Sequence, residues 1–101
     1  MKEKTLKILN AAEAGLYSIF NVESRIAEYF GKQNITFVPE KSDSYNYRAY
    51  DFGKKYGNTT VTFTNQNKSE WKVKLEGENG GVELIESAFE KGLGLKLVSC
   101  R

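Results

Sequence analysis

The chain contains no histidine, and this absence excludes more chemistry than any other feature of its composition. Without histidine there is no Ser/His or Cys/His nucleophile pair and no histidine-based metal site. The single cysteine, Cys100, excludes an internal disulfide and a cysteine-based zinc site, and it fits a reducing compartment. Asp43 and Asp51 are the only aspartates, and no pair of carboxylates lies in a recognisable catalytic motif. We therefore expect no enzyme activity, no cofactor and no metal.

Long hydrophobic runs are also missing. No apolar run approaches the roughly 20 residues that a membrane-spanning helix needs. Residues 1–5 lead into an amphipathic segment and not into the apolar core of a signal peptide. We expect a cytoplasmic protein, of a cell or of an infected host, that makes no contact with membranes. The net charge of +2 does not by itself predict an acidic partner.

What the sequence does contain is the composition of a small folded domain. Of its 101 residues, 40% are hydrophobic and 28% are charged, which is ordinary for a soluble globular protein. A chain of this length forms one hydrophobic core, and a second domain would have no core of its own. Residues 1–101 are therefore expected to form a single domain.

Two segments near the middle of the chain carry the clearest structural pattern. Residues 70–76 alternate charged and apolar side chains without a break, which is the period-two pattern of a strand with one buried face. Residues 59–64 alternate as well and are rich in β-branched side chains, which pleated surfaces favour. The polar segment 65–69 between them has the length of a hairpin loop. These residues predict a β-hairpin.

The rest of the chain predicts helices on either side of a sheet-forming region. Helical spacing of apolar residues predicts helical structure in 5–20 and in 22–30, as two short helices or as one long kinked helix. Strands are expected at 35–38 and 45–52, then a helix at 82–91 and a closing strand at 93–99. The predicted class is α+β, in the order α-α-β-β-β-β-α-β. The N-terminal helices and the C-terminal helix would pack on one face of a mostly antiparallel sheet of four or five strands.

Side-chain alternation predicts which residues lie on the other, solvated face of this sheet. Phe63 and Trp71 are expected to face the core, with Val61 opposite Val73 in one hairpin and opposite Ala49 in the other. The outer face and the adjoining loop would then carry the candidate partner or nucleic-acid surface: Arg48, Tyr50, Phe52, Lys54, Lys55, Tyr56, Lys72 and Lys74.

Two functions of different kinds are compatible with that surface. The first is a non-enzymatic protein-binding module, because exposed aromatic side chains are enriched at protein interfaces. In general character, though in no motif, the chain is similar to accessory proteins of phages and mobile elements, including inhibitors. The alternative is a nucleic-acid-binding domain in which Arg48 and the lysines hold phosphates while Tyr50 and Phe52 stack on bases. A plain solvated sheet face, with Tyr50 and Phe52 against a neighbouring loop, is the simplest interpretation of the same residues.

The remaining features favour structural interpretations. The glycine-rich segment 77–81 lies before a predicted helix, but its spacing matches no phosphate-binding motif, so a structural turn is favoured. The strands at 35–38 and 93–99 are candidate sheet edges. Either edge could pair with a second copy of the chain to form a homodimer.

Overall fold

The computed structural model describes residues 1–43, 45–67, 70–78 and 80–99, which form a six-stranded sheet and two α-helices. The order of strands across the sheet is β2-β3-β4-β5-β1-β6, and each described pairing is antiparallel. The predicted class, a small α+β domain with an antiparallel sheet, is confirmed. In chain order the elements are β1 (Lys2–Ile8), α1 (Val22–Phe30), β2 (Thr36–Phe37), β3 (Tyr47–Asp51), β4 (Thr60–Asn67), β5 (Glu70–Gly77), α2 (Gly81–Lys91) and β6 (Leu97–Ser99).

The prediction of a helix over residues 5–20 is wrong. β1 occupies the start of this region and pairs with β5 on one side and β6 on the other. Its Leu6 and Ile8 face the core opposite Val73 and Trp71, a period-two pattern that the helical spacing of later leucines obscured. Because β1 supplies partners for the backbone groups of β5, sheet pairing overrides the local preference of a short segment.

The central hairpin is confirmed, and it orients the sheet as predicted. Phe63 and Trp71 are buried, at 0% and 4% exposure, on the face that the helices cover. Val61 lies opposite Leu75 and not Val73, a shift of two residues that keeps every side chain on its predicted face. A bulge between Thr64 and Asn67 and the extension of both strands beyond their predicted ends account for the shift.

The predicted pairing of β3 with β4 is wrong by one residue, and this changes the face of every β3 side chain. Tyr50 lies opposite Val61, where Ala49 was expected, and both Tyr50 and Phe52 are buried. Ala49 lies opposite Thr62, on the outer face. Two large rings fill the core far better than one alanine, so the observed register buries more apolar surface.

The two helices cover the inner face of the sheet. α1 contributes Ile26 and Phe30 to the core, and α2 contributes Ile85 and Phe89. The ring of Phe30 lies edge to face with Phe52, with the ring centroids 4.9 Å apart. The helices predicted at 22–30 and 82–91 are therefore confirmed, and both present a buried stripe to the sheet.

Lysines at the start of β1 tie the sheet to α2. The Nζ of Lys2 lies 2.6 Å from Glu83, and that of Lys4 lies 2.6 Å from Glu86. Both pairs lie at the rim of the inner face, where the core gives way to solvent. Exposed pairs of this kind contribute at most about 1 kcal/mol each.

The expectation that segments 35–38 and 93–99 lie at sheet edges is confirmed by β2 and β6, although each strand is shorter than predicted. The glycines that bracket the segment 77–81 are structural. A Cβ on Gly77 or Gly81 would collide with the side chain of Thr59. Within the described residues, neither helix has the length and apolar character that crossing a membrane requires.

Candidate functional site

The eight residues of the predicted surface do not lie together. Tyr50 and Phe52 are in the core, so their expected place on the outer face is corrected. Arg48 lies on the inner side of the sheet, because it shares the face of Tyr50. Lys72 and Lys74 do lie on the outer face, as predicted. The one-residue change in the register of β3 therefore separates the aromatic half of the predicted surface from its lysines.

Ion pairs balance the charge of the outer face. The Nζ of Lys74 lies 3.8 Å from Glu3 and 3.7 Å from Glu76. Lys7, next to Lys72 across the sheet, lies 3.8 Å from Glu70. A face with alternating signs attracts a polyanion weakly, because nucleic-acid affinity comes from several unopposed cations.

The loop residues of the predicted surface lie within the β3–β4 connection, in a 3-10 turn over Lys54–Tyr56. The two lysines are exposed, as expected. Tyr56 packs against the core, with its ring centroid 5.5 Å from that of Phe30 and 6.0 Å from that of Phe52. This loop thus offers two cations and no free aromatic platform.

A different cluster of aromatic and cationic side chains forms at the β3 end of the sheet. The guanidinium carbon of Arg48 lies 5.1 Å from the centre of the Phe20 ring and 5.7 Å from that of the Phe37 ring. The rings of Phe37 and Tyr50 are 5.7 Å apart. Phe20 and Phe37 are 60% and 41% exposed, whereas Tyr50 is 0% exposed. We call these four residues the Arg48 cluster.

Phe20 reaches this cluster from a 3-10 turn that precedes α1. Ser18 caps the turn by accepting a hydrogen bond from the Phe20 amide at 3.2 Å. The Asn21 side chain accepts from the amides of Tyr17 and Ser18 and donates to the carbonyl of Gly15. Buried Ile19 anchors the turn, so the next side chain, Phe20, points outward.

The other members of the cluster are positioned by the β2–β3 pair. Phe37 lies opposite Tyr50, so the two side chains share the inner face. The Val38 amide donates to the Ala49 carbonyl at 2.9 Å, and the Ala49 amide donates to the Ser42 hydroxyl at 2.9 Å. These bonds close the edge of β3 beyond its short partner strand. By the alternation of antiparallel pairing, the amide and carbonyl of Phe37 point away from β3, toward the open edge.

Two polar atoms in the Arg48 cluster are buried without a hydrogen-bond partner in the part of the chain that the structure describes: the Nε of Arg48 and the hydroxyl of Tyr50. Burial raises the pKa of the Tyr50 phenol above its ordinary value of 10.0, while neighbouring Arg48 opposes the rise. The nearby charge of Glu23 also raises this pKa, yet Glu23 forms no ion pair with Arg48 among the described residues. The cluster thus contains a cation with no paired anion.

Sequence reasoning missed Phe20 and Phe37 because it assigned the first to a buried helix stripe and the second to a short strand of no special role. The signal for Phe20 lay in Ser18 and Asn21, since a serine followed three residues later by a side chain that can reach back is a capping pattern. Asn21 holds the N-cap position of α1, but its side chain completes the preceding turn and makes no capping hydrogen bond to α1.

A cleft of about 260 Å³ lies on the other side of the N-terminal region, between Trp71 and the turn at 9–17. Leu9 and Tyr17 are its most exposed lining residues, at 58% and 75%. The described residues include no group of three potential metal ligands close enough to hold an ion, there or elsewhere. Cys100 lies outside the described residues.

No protein-family model, curated protein or solved structure matches the chain. Its function must therefore be argued from the chemistry of its own surface.

Proposed function

We propose that this chain is a small, non-enzymatic protein-binding module that docks a partner on the Arg48 cluster and the adjoining edge of β2. The observation that carries the proposal is the contact of two exposed phenylalanine rings, Phe20 and Phe37, with the Arg48 guanidinium, which forms no ion pair with any described residue. Arginine and aromatic side chains are enriched at protein interfaces and among the residues that dominate their binding energy.

The exposed rings supply the apolar part of such an interface. Complete burial of a phenylalanine stabilises by about 1.5–3 kcal/mol, so covering the exposed parts of Phe20 and Phe37 would contribute about 1 kcal/mol each. The backbone groups of Phe37 that point toward the open edge offer a partner segment two further hydrogen bonds. Since β2 is only two residues long, such pairing would be brief and the side chains would dominate.

The role of an accessory protein or inhibitor of phage or mobile-element origin, in the cytoplasm, remains part of this proposal. It requires no catalytic group, only a surface that complements a target. The general character of the sequence supports it, and the docking site that we propose for this role is the Arg48 cluster.

The nucleic-acid alternative has less support. It required Tyr50 and Phe52 as stacking platforms beside Lys72 and Lys74, and those rings are buried. Lys74 is moreover paired with Glu3. A partner protein fits one guanidinium between two rings better than a polyanion does, because a polyanion needs a row of cations.

Capture of partners by the tagged full chain, from lysate of the cells that carry it, tests the proposal. Phe20→Ala combined with Phe37→Ala should remove the specific partner, and Leu84→Ala should retain it. Leu84 is a matched control, because it is 57% exposed but lies on α2. A partner that is retained equally by all variants would contradict docking at this cluster.

A homodimer through β2 or β6 remains a prediction of the exposed edges. Sedimentation of the purified chain over a range of concentrations measures it directly. A second copy bound through β2 would also cover Phe37, so dimer and partner would compete for this edge.

A further inference from the structure

Arg48 is held in a way that its own chain explains only in part. Stacking on Phe20 and Phe37 accounts for the position of the guanidinium. It does not account for the Nε and the neighbouring Tyr50 hydroxyl, which are buried donors with no acceptor in the described residues. A buried donor left without an acceptor is destabilising, so such groups in a native protein call for an explanation.

The geometry of stacking leaves the donors of Arg48 available to a ligand. A guanidinium on an aromatic ring keeps its five N–H groups in its own plane, where they match the two oxygens of a carboxylate. Of its nitrogens only Nε is both buried and unpartnered, and the side chain as a whole is partly exposed. The Phe20 ring, which contacts the guanidinium, is 60% exposed, and a partner can displace it because exposed side chains change rotamer readily.

We propose that the Arg48 cluster is a receptor for a carboxylate, the side chain of an aspartate or glutamate on the partner protein. The carboxylate would bind the edge of the Arg48 guanidinium and accept from the Tyr50 hydroxyl, while apolar neighbours of that acid pack on Phe20 and Phe37. This inference rests on the proposed function and specifies the partner chemistry at the same site.

Charge favours a single carboxylate over a phosphate chain. The cluster holds one cation and has Glu23 nearby, so it suits an anion of charge −1 that is enclosed by apolar contacts. A nucleic acid would place several further phosphates against a sheet on which Lys7 and Lys74 are already paired with glutamates. The phenol of Tyr50 is protonated at neutral pH, as a donor must be, since its ordinary pKa is 10.0 and burial raises the pKa further.

The test uses a phage-displayed library of random 12-residue peptides, selected on the immobilised full chain. Enriched peptides should contain an aspartate or glutamate beside an aromatic or aliphatic residue. A synthetic copy is then compared with its Asp→Asn or Glu→Gln analogue by fluorescence anisotropy at physiological salt. Neutralising the acid should weaken binding by about 10-fold or more, the effect of one charge-assisted hydrogen bond.

Variants of the chain provide the second half of the experiment. Arg48→Met should weaken binding of the acidic peptide by about 10-fold or more, and Tyr50→Phe by about 3- to 10-fold. Lys72→Met removes the same charge from the outer face and should leave binding within about 2-fold, since exposed charges act weakly at this range. If Arg48→Met fails to fold, Arg48→Lys keeps the charge but loses the planar fork, and it should also weaken binding.

The stability of the Tyr50→Phe variant without peptide shows whether the Tyr50 hydroxyl serves ligand binding or the stability of the free protein. Tyr50→Phe removes a hydroxyl that has no acceptor in the described residues, so its urea midpoint should equal or exceed that of the unsubstituted chain. Weaker peptide binding at unchanged or higher stability supports the receptor. A clear loss of stability in Tyr50→Phe would overturn it, because the hydroxyl would then be satisfied within the free protein.

The outcomes distinguish this inference from the proposed function. Peptides that need Phe20 and Phe37 but bind Arg48→Met normally would overturn the carboxylate receptor and leave the docking surface intact. No enrichment, or peptides indifferent to both phenylalanines, would count against both. A further outcome is that a 20-nucleotide oligothymidylate competes with the peptide for the unsubstituted chain but fails to bind the Arg48→Met variant. That result would show that the cluster binds phosphate, and it would overturn the proposed carboxylate receptor.

Discussion

Tyr50 lies directly opposite Val61 in the sheet, and this single pairing places the Tyr50 side chain inside the protein. Phe52 follows on the same face, where its amide donates to the Thr59 carbonyl. The pairing also turns Arg48 toward Phe20, away from the lysines of the outer face. The proposed interface therefore exists only because β3 pairs in this register.

The register predicts that Phe52 is a core residue. Phe52→Ala should lower the free energy of unfolding by about 3–5 kcal/mol, as removal of a buried ring leaves a cavity. Tyr47→Ala, on the opposite face and 38% exposed, should cost less than about 1 kcal/mol. Urea denaturation measures both, and similar losses for the two variants would argue against the register. If Phe52→Ala does not fold, Phe52→Leu should show a smaller loss in the same direction.

The place of β1 inside the sheet predicts the effect of a proline at Lys7. This residue lies opposite Lys72 in β5 and Val98 in β6, so its amide belongs to a ladder on one side or the other. Lys7→Pro should lower the free energy of unfolding by about 1–3 kcal/mol, because proline has no backbone N–H and a carbonyl of the neighbouring strand loses its hydrogen-bond donor. In a helix beginning at residue 5, proline at position 7 would lie in the tolerant first turn. Lys7→Thr, which keeps the amide, is the control and should change stability by less than about 1 kcal/mol.

Asp43 predicts a loss of stability in acid. The backbone amide of Asn46, with those of Tyr45 and Tyr47, donates to its carboxylate and lowers its pKa below the ordinary 3.8. Because the folded pKa is lowered, this contribution is present above pH 3.8 and is lost as the pH falls through the folded value. Asp43→Asn should be less stable than the unsubstituted chain at neutral pH, and thermal melts in acid should bring the two together. A difference independent of pH would show that charge is not the cause.

Tyr50 predicts a late step in alkaline titration. Burial raises its pKa above the ordinary 10.0, so it should ionise at higher pH than a free tyrosine. Its contribution to stability is complete below pH 10.0 and is lost as the pH rises through the raised value in the folded protein. The absorbance at about 295 nm of the unsubstituted chain minus that of Tyr50→Phe isolates this group. Ionisation at or below the ordinary pH would contradict its burial.

The balanced outer face predicts weak binding of nucleic acid. Labelled single strands should give no salt-sensitive gel shift with the full chain, since Lys74 is already paired with Glu3 and Glu76. Lys72→Glu combined with Lys74→Glu serves as the comparison. A shift that these two changes abolish would restore the nucleic-acid alternative in place of protein binding.

The sequence alone was sufficient for the elements with strong local patterns. Strict alternation in β5 placed Trp71 and Val73 inside and Lys72 outside, because a strand has a period of two whatever surrounds it. Helical spacing and end signals identified α1 and α2. Apolar fraction and length predict one core, and the absence of histidine makes the usual nucleophile pairs unavailable.

Tertiary structure decided the rest, at places where local patterns are ambiguous. β1 is a strand because β5 needs a partner, although Leu6, Leu9 and Ala12 also suit a helix. Each face of β3 carries an aromatic side chain, so the local sequence does not show which face is buried. The packing of the core decides that Tyr50, and not Ala49, lies on the inner face opposite Val61. The Arg48 cluster joins positions 20, 37 and 48 from three separate segments. Which segments come into contact depends on the free energy of pairing distant parts of the chain, and a local stretch of sequence does not reveal it. The candidate site could therefore be identified only in the folded chain.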